Sequence, residues 1–248
     1  MRDRFVYDGV PSTDFNVGIS GAGTYTGAKR RTTSVEIPGR SGNVTFDDGA
    51  FDNVKHEYKA FIAHTFRTDF DNFRAFLMAH SDKYYRLEDS YHPDEFYLAR
   101  YDGDMKPTPK VRLRNGEFTL TFDRKPQRFL KLGELTNTYS SVPGGETKIF
   151  NPTQFTAYPW LRVYGIGPLT IAGTVLTIGS HNYPYIDIDC ERRQAYYNTN
   201  NCNMLITRTV GDYFYLPPGT STINTSQMTL DSQTQFPRVT IMPRWYTI

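Results

Sequence analysis

The sequence is short of cysteine, of net charge and of long apolar runs, and each shortage excludes a class of protein. Two cysteines in 248 residues, Cys190 and Cys202, cannot build a disulfide framework. They stand twelve apart with no second pair and no spaced histidines, which does not fit a zinc site. They read either as ordinary thiols of a reducing compartment or as one bridge. Twenty-eight Lys+Arg against 26 Asp+Glu leave a formal net charge of +2. That balance lacks the basic excess of a dedicated nucleic-acid binder.

Met1-Arg2-Asp3-Arg4 leads into Phe5-Val6-Tyr7 and then Asp8-Gly9. No apolar segment of about 7–15 residues follows, so a chain without a secretory leader is expected. Residues 163–186 carry no Lys, Arg, Asp or Glu, over about the length of a membrane span. Gly165, Gly167, Pro168, Gly173, Gly179 and Pro184 interrupt that stretch, and Leu169/Ile171 and Leu176/Ile178 alternate with period two. Strands and turns are expected there.

Catalytic signatures are also missing. There is no G-x-S-x-G, no phosphate-binding P-loop, no G-x-G-x-x-G after a strand and no H-E-x-x-H. Gly165-Ile166-Gly167 has no helix behind it. His56, His64, His80, His92 and His181 lack spaced ligand partners and read as structural. Asp47, Asp48 and Asp52 form either a cation or acid–base site or a charged hairpin tip. Asp187 and Asp189 would share one strand face, as a sugar or calcium site or as a solvated surface. No cofactor is expected.

What the chain has is aromatic rings. Tyr 18, Phe 17 and Trp 2 make up 15% of it, enough to build a core despite a hydrophobic fraction of 38%. Charge is divided unevenly: 39 of the first 130 residues are charged, but only 15 of the last 118. The second half replaces charge with hydroxyls, including 18 threonines. The shift falls near Lys131-Leu132-Gly133, just before the turn-rich Val142-Pro143-Gly144-Gly145. Two domains, 1–132 and 133–248, are expected.

Both read as mainly β. In the first, Val35-Glu36-Ile37 stops at Pro38-Gly39-Arg40-Ser41-Gly42, and Val44-Thr45-Phe46 runs to a hairpin signal at Asp47-Asp48-Gly49. Val54, His56, Tyr58 and Ala60 alternate with polar residues as a half-buried strand. A helix is expected from Asp69 to about Ala79, capped by Thr68 or Asp69, with Phe70, Phe73, Phe76 and Leu77 as its apolar stripe. Tyr84–Leu87 and Phe96–Arg100 read as strands. Val111/Leu113 and Phe118/Leu120/Phe122 flank Asn115-Gly116, read as a hairpin turn. The second half shows no helical run. Its short strands are expected at 160–164, 169–172, 175–178, 185–190, 194–198, 212–216, 228–230 and 238–242, the spacing of an antiparallel sandwich. Trp160, Trp245, Tyr196 and Tyr197 are either core rings or a saccharide-stacking platform.

A series of segments resembles one known family. Phe5-Val6-Tyr7-Asp8-Gly9-Val10-Pro11-Ser12-Thr13-Asp14-Phe15-Asn16-Val17 is similar to the start of the distal tail proteins of long non-contractile-tailed bacteriophages, with Asn16 where glycine is usual. Val35-Glu36-Ile37-Pro38-Gly39-Arg40-Ser41-Gly42 resembles the family's I-P-G-R-x-G. Asp47–Asn53, Tyr85–Asp89, Asp94–Arg100, Phe122–Phe129, Asn151-Pro152, Pro159–Gly165 and Pro243-Arg244-Trp245 continue the series in order. The resemblance implies a first domain of β-sandwich with one helix and a β-hairpin, closing into a ring of six. It implies a second, galectin-like β-sandwich outside that ring. It places the assembly in the virion, at the distal end of a tail assembled in the host cytoplasm. One face would stack on the tail tube protein, and the other would hold a tail-associated lysin or tail fibre. Receptor-binding baseplate proteins would attach outside. DNA would pass through the channel without specific binding.

A closed ring needs two different patches on each subunit. The hairpin Val35 to Asn53 is the expected contact, with Val35, Ile37, Arg40, Val44, Phe46, Asp47, Asp48 and Phe51 at the interface. Val44–Phe46 and Val54–Ile62 are candidate edges for pairing across subunits. Two rival readings are a carbohydrate-binding module for adhesion to the host wall and a cell-wall hydrolase. The first needs an exposed aromatic platform. The second needs a paired-carboxylate cleft, for which the sequence offers no support.

Overall fold

The structure, a computed structural model, describes residues 3–21, 25–103, 105–110, 114–140, 147–229 and 237–248. Val111, Leu113, Val142-Pro143-Gly144-Gly145 and Leu230 lie outside the described residues. Two compact units divide the chain, Met1–Arg128 with Ile248, and Phe129–Thr247.

The first unit contains β1 (Phe5–Tyr7), β2 (Val10–Pro11), β3 (Val17–Ser20), β4 (Arg30–Val35), β5 (Val44–Phe51) and β6 (Val54–Ile62). Helix α1 (Phe66–Ala79), β7 (Tyr85–Asp89), β8 (Glu95–Tyr101), β9 (Thr108–Lys110) and β10 (Asn115–Leu130) follow. The main sheet is ordered β2-β1-β7-β8-β10-β6-β3, with β9 also on β10. β1 pairs antiparallel with β7, Phe5 opposite Asp89 and Tyr7 opposite Leu87. In β6, Val54, His56, Tyr58, Ala60 and Ile62 are buried while Lys55, Glu57 and Lys59 face solvent, the period-two signature of a strand with one face on a core.

Phe66, Phe70, Phe73 and Leu77 are the buried stripe of α1. They meet Phe5, Tyr7, Phe118 and Phe122 in one core. The rings pack by their edges: Phe70 against Phe118 at 5.2 Å and Phe5 against Phe122 at 5.9 Å. The helix begins before the expected Asp69. Thr65 precedes it with φ 53°, and its hydroxyl donates to Asp69, which lies in the first turn. Burial of Phe66 adds that turn.

Two turn signals are displaced. Asn115 and Gly116 open β10, opposite Lys110 and Pro109, so they are strand residues. A Cβ on Gly116 would stand 2.4 Å from a ring carbon of Phe66, and this approach explains the glycine. Asp47-Asp48-Gly49 lies inside β5, not at a hairpin tip. The chain reverses between β4 and β5, where Arg40 N–H donates to the Ile37 carbonyl at 3.1 Å and Gly39 takes φ 81°. Pro38-Gly39 thus forms the centre of a type II turn. The Asp-Asp-Gly step sits where the ladder slips, between the pairs Arg30–Phe51 and Thr32–Asp47.

The second unit contains β11 (Asn137–Ser140), β12 (Thr147–Asn151), β13 (Trp160–Tyr164), β14 (Gly167–Ile171), β15 (Thr174–Ile178) and β16 (Ile186–Asp189). It continues with β17 (Gln194–Tyr197), β18 (Asn200–Asn201), β19 (Ile206–Val210), β20 (Gly219–Asn224), β21 (Arg238–Met242) and β22 (Tyr246–Thr247). One sheet is ordered β11-β21-β13-β16-β17-β18 and the other β12-β20-β14-β15-β19. Leu161, Val163, Ile186, Ile188 and Ile241 of the first share a core with Ile149, Leu169, Ile171, Leu176 and Ile223 of the second, as a β-sandwich requires. The uncharged stretch 163–186 forms strands and turns, and no described helix is long and apolar enough to cross a membrane. Two expected strands shrink to the single bridges Ala157–Leu216 and Ile166–Thr229. The fold class is the expected one: mainly β, one α-helix and a hairpin in the first unit, a sandwich in the second.

Candidate assembly surface

β4 and β5 pair only with each other among the described strands. Register puts Val35 opposite Val44 and Thr33 opposite Phe46. Those four side chains therefore share one face, and Thr32, Ser34, Thr45 and Asp47 share the other. The first face has the composition of a half-buried strand pair, yet nothing among the described residues of the unit covers it. All six residues of β4 are exposed, and Phe46 is 58% exposed. Ile37, past the end of β4, is exposed too, as are Arg40 in the turn and Asp48 at the slip. An isolated two-stranded hairpin is marginal in water.

Ion pairs hold the base of the hairpin. Arg30 Nε donates to Asp47 Oδ2 at 2.7 Å, and its guanidinium lies 5.3 Å from the centre of the Phe51 ring. The hydrogen bond from Arg30, with another from the Gly49 N–H, holds the Asp47 carboxyl below the usual carboxylate range. Arg31 Nε meets Asp52 Oδ1 at 3.0 Å. Asn53 then donates to Tyr84 Oη at 2.7 Å and to Asp123 Oδ2 at 3.0 Å, tying the end of the hairpin to the main sheet. Asp47 and Asp52 thus serve cross-strand pairs. Arg30 and Arg31, absent from the sequence-derived set, supply the countercharges, and only the register reveals them.

β6 offers an edge over only part of its length. It pairs with β10 from Ile62 to Val54 and with β3 from Ile62 to Lys59, so the expectation of pairing across subunits is corrected for Lys59–Ile62, where both sides are occupied, whereas Val54–Tyr58 carry no second strand among the described residues.

The aromatic set of the second unit does not form one platform. Trp160 Nε1 donates to Tyr196 Oη at 3.1 Å, so these two are neighbours. Tyr197 stacks on Tyr183 at 4.8 Å and meets Tyr185 at 5.0 Å. Trp245 is 4% exposed and belongs to the core. Asp187 and Asp189 are neither solvated nor open to a cation, because each is buried under an arginine. Arg162 grips Asp187 through Nε at 2.8 Å and Nη2 at 3.0 Å, and Arg244 grips Asp189 at 2.9 and 3.0 Å. Burial works to raise Asp189, but hydrogen bonds from Arg244 and from the Arg192 N–H outweigh it and leave the carboxyl below its usual range. No described group of three or more His, Cys, Asp or Glu is placed to hold a metal ion. Cys190 and Cys202 are both buried free thiols, and burial raises both above the usual thiol range.

No protein-family model matches the chain, and no curated relative matches it significantly. Solved structures do. The SPP1 Dit (gp 19.1) protein, described as a paradigm of the hub adsorption apparatus of phages that infect Gram-positive bacteria, aligns over 100% of both chains with a TM-score of 0.74 and 14% identity. A chain of the phage P2 baseplate in its activated conformation with Ca aligns over 97% of this chain and 98% of its own, with a TM-score of 0.54 and 11% identity. The same baseplate with Sr gives the same score and identity. From its first unit to its second, the chain has the fold of the SPP1 Dit protein.

Proposed function

We propose that the chain is a distal tail protein, a non-enzymatic hub that closes six copies into a ring at the tip of a phage tail. The observation that carries this reading is the uncovered apolar face of β4–β5, on a chain whose whole length aligns with a phage hub protein. A hairpin with one apolar face and no cover among the described residues of its own unit is completed by a second copy. In a ring that contact is heterologous, so Val35, Ile37, Val44 and Phe46 meet a different patch of the neighbour. Arg40, Asp47, Asp48 and Phe51 flank it and fix register.

In this reading the first domain, 1–132, forms the ring between the tail tube protein and a tail-associated lysin or tail fibre. The second, 133–248, is a galectin-like sandwich that carries receptor-binding baseplate proteins. DNA passes through the bore without specific binding, and the site of action is the distal end of the virion tail. The saccharide-platform alternative has less support, because Trp245 is in the core and the Trp160 ring N–H is engaged by Tyr196.

Light scattering coupled to size exclusion, followed by negative-stain imaging, tests the reading. Six copies of the 28.5 kDa chain in a ring are expected. A protein that stays a single subunit when concentrated and mixed with its tube neighbour, or that turns over a cell-wall substrate, overturns it.

A further inference from the structure

The first unit holds a cavity of about 240 Å³ whose lining includes Tyr25, Thr26, His92, Tyr97, Arg124, Arg128 and Ile248. Arg124 is its unusual member. It follows Phe118, Leu120 and Phe122 on the inward side of β10, so a position whose alternation calls for an apolar side chain carries an arginine that is 2% exposed. Nη2 donates to the Thr26 carbonyl at 2.7 Å, and the Tyr97 ring centre lies 4.7 Å from the guanidinium carbon. Nε and Nη1 are buried and donate to nothing among the described residues. Arginine cannot shed its charge to escape burial, and a guanidinium out of water is costly unless an anion compensates it.

No acidic side chain among the described residues supplies that anion, and Ile248, which also lines the cavity, makes no hydrogen bond to Arg124 Nε or Nη1. Asp89 is committed to Tyr58 Oη at 2.7 Å and to the N–H and Nδ1 of His92 at 2.8 and 3.1 Å. Glu95 faces Arg128 at 3.5 Å. Arg128, partly exposed, brings a second positive charge to the same cavity. The volume exceeds the ~30 Å³ share of one water and falls below the ~300–1,000 Å³ of pockets that hold drug-sized molecules.

We propose that this cavity binds one small oxyanion, a phosphate or a carboxylate, with Arg124 as its buried charge partner and Arg128 as a second contact. The proposal goes beyond the assembly reading and does not rest on it. To test it, the full chain is titrated at pH 7.5 with sodium phosphate and, separately, with sodium acetate, ionic strength being held with sodium chloride. Calorimetry and thermal unfolding are read together. Saturable binding of at least one of the two anions, one per chain, is expected, with an unfolding temperature that rises with its concentration. Preference for phosphate or for acetate then names the ligand class. Arg124→Gln should abolish binding. Because a change at a buried site can prevent folding, Arg128→Gln at the partly exposed position is the second variant, and it should weaken binding about tenfold through loss of one charge-assisted contact. No saturable response to either anion, binding unaltered in Arg128→Gln, or binding that survives in a folded Arg124→Gln overturns the proposal.

Discussion

His56 Nε2 lies 3.8 Å from Asp89 Oδ2, beyond hydrogen-bond reach, while Tyr58 donates to that same oxygen at 2.7 Å. Asp89 is thus partnered and the wholly buried imidazole is not, with neither ring nitrogen bonded among the described residues. Burial first, and the nearby Arg124 charge second, lower the His56 pKa from 6.5 to about 4.

A lowered histidine pKa makes the first unit acid-sensitive. Unfolded His56 takes up a proton near pH 6.5, whereas folded His56 resists until about pH 4. Stability is therefore full above the upper value, declines as pH falls between the two, and is lost by about 3 kcal/mol below the lower one. His56→Phe should flatten that part of the profile. Chemical unfolding of both proteins at pH 7 and pH 5 measures the difference, and parallel profiles would refute it.

The uncovered hairpin makes a second expectation concrete. Phe46→Ser combined with Phe51→Ser should yield a folded single subunit, because each ring returned to water withdraws about 2 kcal/mol per contact from every joint of the ring. Light scattering gives the mass and circular dichroism the folding control. An unchanged hexamer would sink the assignment of this face.

Arg244→Leu should destabilise the second unit by about 3–5 kcal/mol, since it leaves Asp189 charged, buried and without its main countercharge. Adding Asp189→Leu should recover part of the loss. Thermal unfolding of the single and double variants decides this, and additive losses would show that the pair is not coupled.

Gly116→Ala adds one methyl where the Phe66 ring already stands. A loss of about 1–3 kcal/mol is expected from overpacking. Phe66→Leu in the same background should relieve it in part, as read from the midpoint of chemical unfolding.

The features legible in the sequence are those set by near neighbours. The alternation of Val54 to Ile62 and the spacing of Phe70, Phe73 and Leu77 encode their own burial, so β6 and α1 could be drawn at once. Gly116 was misread because its cause is a ring some fifty residues earlier in the chain. Alternation puts Asp187 and Asp189 on one strand face, which reads as solvated or as a sugar or calcium site, and the structure buries both. Their burial depends on Arg162 and Arg244 lying over them, and Arg244 is 55 residues distant. The hairpin residues Val35, Val44 and Phe46 could be named from pattern. Their common face, and the pairing of Asp47 with Arg30, appear only once the register is known. β12, where buried Ile149 stands between Lys148 and an exposed Phe150, and β20, where Ile223 is the one aliphatic residue, give no periodic apolar signal.

The pairing of β1 with β7 also bears on how the protein is born. Phe5 and Tyr7 leave the ribosome well before the strand that receives them, which ends at Asp89. At about 5–20 residues per second, translation keeps them waiting for several seconds. Over that interval two large rings have only the short β2 beside them and lack their β7 neighbour, and the nascent segment is a natural client for holding chaperones. A stalled or prematurely terminated message would release a sticky fragment.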